Sequence, residues 1–430
     1  MATVDWSDLP KEIWPIIGKF IHTRIDVLRF RSVCSVWRSS RPPFLRPPPP
    51  PLPLKFSPSA ADPKLRALLF QNTTYRIEPI ADHNRKCGAC SKSKPPFLIK
   101  LEYNPNSGEM RLVHPVNSSP LRCYRNPKPK EFNLLDFQLV ELRKSYVLKF
   151  GKNSNFNVKS VHRLVVVPSE FLEFSDVSGI FMIYNGGRLA FVRFGDDKLT
   201  RVDENAHYDD IIVYKGQCYV VDKWGTISWI SSGLQVIQFS PPLCGFGGQK
   251  YLGQKYLVES CGDLYVVDQF FEKVTYHDNV NRVLPQNLDN ELMFWHHRNR
   301  QDDADTIGFR VYKLDQEWGR WVDVKDLGDY IFILSNDGSF SVSSSEFGGV
   351  KGNCIFFSES VLSTSRTFYN RVFNLEDGRI SSLVSLHSQM VHPPTSWLSP
   401  DLSLSACSEW NFFTGYELQP YDLHFPGDDG

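Results

Sequence analysis

The sequence contains no apolar run of 18 or more residues, and this absence argues against a membrane span. The first eight residues, Met-Ala-Thr-Val-Asp-Trp-Ser-Asp, include acids and no apolar core of the kind found in a signal peptide. The nine cysteines are scattered and odd in number, which favours free thiols over a disulfide framework. These absences predict a protein of the nucleus, the cytoplasm or both.

An excess of charge of either sign is also lacking. The 48 Lys and Arg residues balance the 48 Asp and Glu residues, so the formal net charge is zero. A protein that binds the phosphate backbone of a nucleic acid is expected to carry an excess of basic residues. The composition therefore argues against nucleic acid as a partner.

Motifs for metal binding are weak. Cys87 and Cys90 have metal-ligand spacing and His83 is nearby, but no second Cys pair follows at a suitable distance. A basic loop is therefore favoured over a zinc site. The adjacent His296 and His297 would point to opposite faces of a strand and could not jointly hold one ion without distortion.

Motifs for catalysis are weak as well. The sequence has no HExxH, GxSxG or Walker-type loop, and the Gly-rich stretch 245–248 lacks the last glycine of a dinucleotide fingerprint. Three acidic pairs could serve glycoside chemistry, but solvated turns are the favoured interpretation: Asp196-Asp197, Asp209-Asp210 and Asp302-Asp303. We expect no catalytic residue, no metal and no cofactor.

The N-terminal block 3–41 predicts three short helices. Ile13, Ile16, Ile17, Phe20 and Ile21 recur at helical spacing, and shorter helical patterns follow in residues 25–30 and 33–38. Forty residues cannot enclose this many large apolar groups. The block is therefore expected to bind a partner protein or, alternatively, to fold as a cap onto the next domain.

Proline interrupts the pattern around this block. Pro15 lies inside the expected first helix, where it would remove a backbone donor, so this helix is predicted either to begin later than Pro10 or to be kinked. Five consecutive prolines at 47–51 then mark residues 42–66 as a stiff linker of extended polyproline type.

Short strands dominate from residue 67 onward. Residues 180–184 and 189–194 flank Asn185-Gly186-Gly187, and residues 211–214 and 217–221 flank Lys215-Gly216, which are hairpin patterns. Similar hairpins recur at intervals of about 40 to 50 residues, the period of propeller blades. The spacing predicts a β-propeller over residues 67–420 with six or seven blades, followed by a flexible tail at 421–430.

A family resemblance joins the two parts. Residues 6–13 (WSDLPKEI), 26–34 (DVLRFRSVC) and 37–40 (WRSS) resemble the F-box. Downstream, residues 97–100, 208–211, 256–264, 309–314, 327–329, 339–342 and 351–356 resemble, in order, plant F-box proteins with the domain of unknown function 295, which is described as a propeller. The expected fold class is therefore α+β multidomain, with a small three-helix F-box followed by an all-β, propeller-like domain.

This resemblance implies a function. The F-box would bind a Skp-type adaptor, which links to a cullin and a RING subunit, and the β domain would bind the protein to be ubiquitinated. The chain would then be the non-catalytic substrate receptor of a Skp-cullin-F-box (SCF) ubiquitin ligase. The candidate adaptor-binding residues are large apolar groups, with Trp37 the strongest: Leu9, Pro10, Ile13, Leu28, Val33, Cys34 and Trp37. Two alternatives stay open: an F-box propeller that binds a glycan or small molecule without directing degradation, and a propeller hydrolase.

Overall fold

A computed structural model describes residues 10, 12–19, 24–40, 67–79, 95–104, 110–121, 137–150, 161–167, 179–184, 186–194, 196, 199–203, 206–243, 253–271, 305–315, 319–361, 367–383 and 386–391. Four α-helices lie in these segments: α1 (Ile13–Lys19), α2 (Arg24–Val33), α3 (Ser35–Ser40) and α4 (Leu386–Val391). A single 3-10 turn, Ser344–Phe347, is also described. Everything else that is regular is β structure.

The strands form five separate sheets within the described residues. Blade 1 contains β1 (Ala67–Pro79), β2 (Phe97–Tyr103), β3 (Met110–Val113) and β4 (Phe137–Phe150). Blade 2 contains β5 (Val161–Val167), β6 (Gly179–Tyr184), β7 (Arg188–Arg193) and β8 (Thr200–Asp203). Blade 3 contains β9 (Tyr208–Tyr214), β10 (Gln217–Asp222), β11 (Ile227–Ile230) and β12 (Val236–Gln238).

The remaining two sheets complete the array. Blade 4 contains β13 (Gly253–Ser260), β14 (Asp263–Phe271), β15 (Thr306–Asp315) and β16 (Arg320–Val324). Blade 5 contains β17 (Tyr330–Ser335), β18 (Gly338–Ser343), β19 (Cys354–Val361), β20 (Thr367–Asn374) and β21 (Ile380–Ser382). The protein is therefore mostly β, with a five-bladed, propeller-like arrangement.

The expectation of six or seven blades is wrong for this arrangement, since the described residues form five sheets. The period that was read from the hairpins is too short for two of the blades. Blade 1 alone runs from residue 67 to residue 150, and the paired strands β14 and β15 of blade 4 are separated by residues 272–305. Long connections inside a blade lengthen the chain without adding a sheet.

Turn chemistry explains why the predicted hairpins are confirmed. Lys215 and Gly216 join β9 to β10 with φ angles of 48° and 79°. Cys261 and Gly262 join β13 to β14 with φ angles of 52° and 79°. Positive φ at both central positions is the property of the turn type that matches the twist of two-residue hairpins.

One edge strand of each sheet lies at the centre of the array. These inner strands are β4, β5, β9, β13 and β18. Strand β9 contacts β5, β13 and β18, while β4 contacts β5. Apolar clusters fill the spaces between blades, such as the one in which Phe181 and Phe191 of blade 2 pack with Ile211 and Val220 of blade 3.

Each described sheet is built from one continuous stretch of chain, so none combines the first and last strands of the propeller. Blades 1 and 5 are joined instead through side chains. Leu98 and Val116 of blade 1 pack in one cluster with Ile331 and Phe356 of blade 5 and with Met390 of α4. Helix α4 also contacts β2, so it lies across this junction.

Candidate functional site

The N-terminal helices pack around three aromatic rings. Trp14 is 1% exposed, and its ring centroid lies 4.1 Å from that of Trp37 and 6.4 Å from that of Phe30. The rings of Phe30 and Trp37 are 4.8 Å apart. Aromatic pairs at these distances stabilise packing beyond the area that they bury. These three helices therefore have a small internal core of their own.

Trp37, which the sequence favoured for adaptor contact, belongs to this core. Its ring is half-buried, and its Nε1 is buried with no hydrogen-bond partner among the described residues. Only part of the ring is therefore accessible to another protein. Its role in docking remains a prediction.

The other predicted adaptor-binding residues are placed differently from one another. Val33 is 44% exposed and Pro10 is exposed, while Ile13 and Cys34 are half-buried. Leu9 lies outside the described residues. Leu28 lies in α2, but its side chain is also outside the described part.

Ile16 was not among the predicted adaptor-binding residues, although it belongs to the predicted apolar face of the first helix. It is 54% exposed on α1. Val33 and Ile16 are therefore large apolar side chains that this segment presents to solvent.

The question about Pro15 is answered by the start of α1. The helix begins at Ile13, and the Ile13 N–H donates to the carbonyl of Pro10 at 3.0 Å. Pro15 is therefore the third helical residue and lies in the first turn. Backbone N–H groups in the first turn have no acceptor within the helix, so proline at this position removes no helical hydrogen bond. The helix begins later than Pro10, as one of the two expected outcomes had it.

The helical segment also approaches the propeller. Arg29 of α2 donates from Nη2 to the carbonyl oxygen of Leu139 in β4 over a long distance of 3.5 Å, and its Nη1 lies 3.2 Å from Oδ1 of Asp26. This contact is compatible both with a docking module and with a cap on the propeller.

A central cavity lies between the inner strands. It has a volume of about 320 Å³ and is lined by residues of β4, β5, β9, β13 and β18, together with Asp337 from the turn between β17 and β18. Pockets for small ligands begin at about this size. The cavity is therefore the second candidate site.

Asp337 forms a buried hub that connects blade 5 to blade 1. The Nζ of Lys100 in β2 and the Oγ of Ser335 each donate to its Oδ1 at 2.7 Å. Its Oδ2 accepts from Asn72 Nδ2 in β1 at 2.6 Å and from Ser145 Oγ in β4 at 2.8 Å. One carboxylate therefore receives hydrogen bonds from three strands of blade 1.

Lys100 is held by further acceptors. Its ammonium also donates to the carbonyl of Pro115 and to Ser118 Oγ, both at 3.0 Å, and to Ser335 Oγ at 2.7 Å. A buried ion pair is favourable only when the remaining hydrogen-bonding capacity of both partners is satisfied. The Lys100–Asp337 pair meets this condition.

The electrostatics of the pair follow from burial and proximity. Burial alone would raise the pKa of Asp337, but the Lys100 ammonium and the hydrogen bonds from Ser335 and Asn72 outweigh it and hold that pKa well below its usual range. Burial lowers the pKa of Lys100, and the Asp337 carboxylate opposes this shift. Asp337 is therefore a carboxylate at any pH near neutrality.

A second buried pair carries the network to the other blades. Arg163 of β5 donates to the backbone carbonyl of Asn336 in blade 5 and, from Nε, to Oδ1 of Asp210 in β9 at 3.0 Å. Asp210 also accepts the N–H groups of Ile211, on Oδ1, and of Leu257 in β13, on Oδ2, both at 2.9 Å. Blades 5, 2, 3 and 4 are thus linked around the cavity by one pair of charged side chains.

The acidic pair Asp209-Asp210, considered as catalytic from the sequence, therefore has a structural position. Asp209 Oδ2 accepts the backbone N–H of Lys255 in β13 at 3.1 Å, next to the bond from Asp210 to Leu257. Both side chains are buried rather than part of a solvated turn, which corrects the sequence interpretation. Both carboxylates are used to join blade 3 to blade 4.

Other sequence candidates receive less support or lie elsewhere. His83, Cys87, Cys90, His296, His297, the stretch 245–248 and Asp302-Asp303 all lie outside the described residues, as does Asp197. In the part of the chain that the structure describes, no cluster of three His, Cys, Asp or Glu side chains could hold a metal ion. None of the helices in that same part is long and apolar enough to cross a membrane.

The sequence reasoning missed the residues of the cavity and the hub. Asp337-Gly338 looked like an ordinary hairpin turn, and Lys100 looked like a polar residue in a strand. A signal was available for Lys100, since it alternates with Leu98 and Glu102 on one face of a strand that is otherwise apolar over residues 97–101. The sequence alone does not show that this face meets another blade.

Comparisons with known proteins agree with this fold. The model of the KIB1-4 beta-propeller family matches residues 63–378, which includes β1 to β20. F-box protein SKIP23 of Arabidopsis thaliana is 28% identical over 92% of this chain and 96% of its own length. F-box proteins At4g35733 and At2g26160 of the same plant are 28% and 27% identical over 91% and 84% of this chain, and 99% and 97% of their own lengths. The chain therefore belongs to the KIB1-4 beta-propeller family and is a plant F-box propeller protein.

Proposed function

We propose that this protein is the substrate-recognition subunit of an SCF ubiquitin ligase. Its N-terminal helices would bind a Skp-type adaptor, and through it a cullin and a RING subunit, while its propeller would bind the target protein. Relatives named F-box proteins, aligned along nearly their whole length, support this assignment. Ubiquitin transfer would be catalysed by a recruited conjugating enzyme, so the chain would act without catalytic residues of its own.

The observation that carries the proposal is the exposed apolar surface of the helices. Val33 and Ile16 are 44% and 54% exposed, although the segment has few residues in which to bury them. Full burial of an aliphatic side chain contributes about 1.5–3 kcal/mol. Because each of these two side chains is about half exposed, covering both would contribute about 1.5–3 kcal/mol, a part of what is needed to offset an association cost of about 4–15 kcal/mol. A partner that covers this surface therefore gains affinity from it.

A matched pair of valine variants tests the docking. Val33→Glu places a charge in the proposed interface, and Val322→Glu places the same charge on a valine of β16 that is 43% exposed on the propeller. The full-length protein is co-expressed with a Skp-type adaptor and purified through a tag on the adaptor. We expect Val33→Glu to lose co-purification and Val322→Glu to retain it. Normal recovery of Val33→Glu would count against docking through this surface.

A second function is favoured by the central cavity. A cavity of about 320 Å³ at the centre of the blades could hold a small ligand without any degradation of a target protein. Stabilisation of a bound protein by proteasome inhibition would support the ligase function. Unchanged abundance of all bound proteins under the same treatment would support the ligand-binding function instead.

Localisation in the nucleus, the cytoplasm or both belongs to the same proposal, because SCF ligases need their adaptor and cullin in the same compartment. Imaging of a fluorescent fusion tests it. Fluorescence confined to the secretory pathway would contradict it.

A further inference from the structure

Arg143 of β4 lines the central cavity and forms no salt bridge with any of the described residues. Its Nη1 is buried and has no hydrogen-bond partner among the described residues. The Oγ of Ser339 in β18 lines the same cavity and is also buried without a partner there. Two polar groups on facing inner strands are therefore left with unused hydrogen-bonding capacity in one cavity.

The acids nearest to Arg143 are already engaged. Asp337 accepts hydrogen bonds from Lys100, Asn72, Ser145 and Ser335. Asp210 is paired with Arg163 and with two backbone N–H groups. Both acids attract Arg143 across space, and so does Glu259 of β13, but none of the three forms a salt bridge with it among the described residues.

The guanidinium lies between Phe340 and Gly338. Its Cζ is 5.9 Å from the centroid of the Phe340 ring. A Cβ atom on Gly338 would lie 2.3 Å from its Nη2, so the absence of a side chain at Gly338 leaves the guanidinium the space that it occupies.

Such an arrangement costs free energy in the empty protein. Burial opposes the charged form of Arg143 and lowers its pKa. An arginine nevertheless stays protonated in proteins, so the charge remains and lacks full compensation. Groups that are expensive in the free protein and satisfied by a ligand are typical of binding sites.

The remaining walls define the kind of ligand. Leu142, Leu164, Val166 and Ile212 also line the cavity, at the inner edge of the apolar clusters that pack between the blades. Lys144 and Glu259 also line the cavity and are exposed, so the cavity reaches solvent. Glu259 is also one of the acids that attract Arg143 across space. We propose that the cavity binds a small molecule with one carboxylate or phosphate group, which accepts hydrogen bonds from Arg143 and Ser339, and an apolar portion that packs on these walls.

This inference does not rest on the docking of the N-terminal helices. The same cavity could be filled whether or not an adaptor is bound. Failure of the valine test leaves the anion site in place, and failure of the anion test leaves the docking proposal in place.

The binding test uses four six-carbon probes on the full-length protein. Hexanoate and hexyl phosphate carry the proposed anion, hexanol is neutral and hexylamine is cationic. We expect hexanoate, hexyl phosphate or both to raise the melting temperature in a saturable manner, and the stronger of the two identifies carboxylate or phosphate as the preferred group. We expect no shift with hexanol or hexylamine. Equal shifts with all four probes, or none with either anion, would overturn the proposal.

The variant test separates a binding role from a structural one. Arg143→Met should raise the Kd of the preferred anion at least tenfold, which is equivalent to about 1.4 kcal/mol of binding free energy. The exposed Arg188→Met in β7 should leave the Kd unchanged. Without ligand, Arg143→Met should melt at the wild-type temperature or above it, because a charged group whose Nη1 is buried without a hydrogen-bond partner among the described residues is removed. A lower melting temperature for unliganded Arg143→Met, or wild-type affinity in that variant, would contradict the proposal.

Discussion

The ammonium of Lys100 lies 2.7 Å from Oδ1 of Asp337, and both side chains are 1% exposed. The two residues belong to the first and the last blade of the propeller. Because none of the described sheets joins the two ends of the array, this ion pair and its hydrogen bonds, together with the apolar cluster around Leu98 and Ile331, hold the first blade against the last.

Asp337→Asn should lower the free energy of unfolding by about 3–5 kcal/mol, because it leaves the buried Lys100 without its anion. The double variant Lys100→Met/Asp337→Leu should lose less than the sum of the two single variants, since neither charge is then left alone. Chemical denaturation of the full-length protein measures both. Asp196→Asn, at an exposed position, is the control and should change stability by less than about 0.5 kcal/mol. Additive losses in the double variant would show that the two charges do not interact.

Gly338→Ala should be more destabilising than Gly216→Ala. Both glycines have positive φ angles, 128° and 79°, but only at Gly338 would the new Cβ meet another group, Nη2 of Arg143 at 2.3 Å. Thermal melts of the two variants make the comparison. Arg143→Met should partly restore the stability of Gly338→Ala and leave Gly216→Ala unaffected. If Arg143→Met restored no stability to Gly338→Ala, the strain of alanine at a φ of 128° would account for the loss and the contact with Arg143 would not.

Helix α4 should bind less tightly to the propeller as the pH falls through the range in which histidine titrates. Burial lowers the pKa of His387, which a hydrogen bond with the Lys351 backbone opposes, and Nε2 is buried without a partner among the described residues. A depressed pKa means that the stabilisation is complete above the unfolded-state value of 6.5 and declines below it.

Hydrogen exchange of the α4 amides at pH 7.5 and 5.5, corrected for intrinsic rates, measures this effect. His387→Phe retains a ring against Phe356, whose centroid is 5.5 Å from that of His387, and should show equal protection at both pH values. Equal protection in the wild type would refute the prediction.

Trp37→Ala should unfold the N-terminal helices without affecting the propeller. The substitution removes the ring that packs 4.1 Å from Trp14, and loss of a large core aromatic costs about 3–5 kcal/mol. Limited proteolysis should cleave residues 12–40 faster in this variant, while the main melting transition stays unchanged. Trp224→Ala, at a tryptophan that is 50% exposed on the propeller, should change neither. Wild-type resistance of Trp37→Ala to cleavage would show that Trp37 is dispensable for packing.

The strands could be predicted from the sequence because their determinants are local. Lys215-Gly216 and Cys261-Gly262 announce two-residue turns, and the apolar runs on either side of them supply the strands. The number of blades could not be predicted, because the sequence does not reveal that β14 and β15 pair across 34 intervening residues, 272–305. The residues of a turn and its two flanking strands determine a hairpin. Which further strand pairs with that hairpin depends on contacts between residues that are far apart in the sequence.

The candidate cavity could not be predicted from the sequence for the same reason. Arg143, Lys100, Arg163 and Asp337 are ordinary charged residues until the fold places them around one axis. The adaptor-binding prediction had a firmer basis, since an excess of apolar residues in a short segment can be counted directly. Even there, the sequence could not show that Trp37 would pack on Trp14 instead of standing free.

The continuity of chain within each blade has a consequence for synthesis. The strands of each blade are consecutive in sequence, so all of them leave the ribosome before the next blade begins. Blades 1 to 4 can therefore fold one after another during synthesis, before the C-terminal part of the chain is made. Until the β17–β18 turn has been synthesised, Lys100 lacks its ion-pair partner Asp337, and we expect its ammonium to remain hydrated. We expect the nascent protein to resemble an open string of finished sheets, which closes into a ring only when Asp337 arrives.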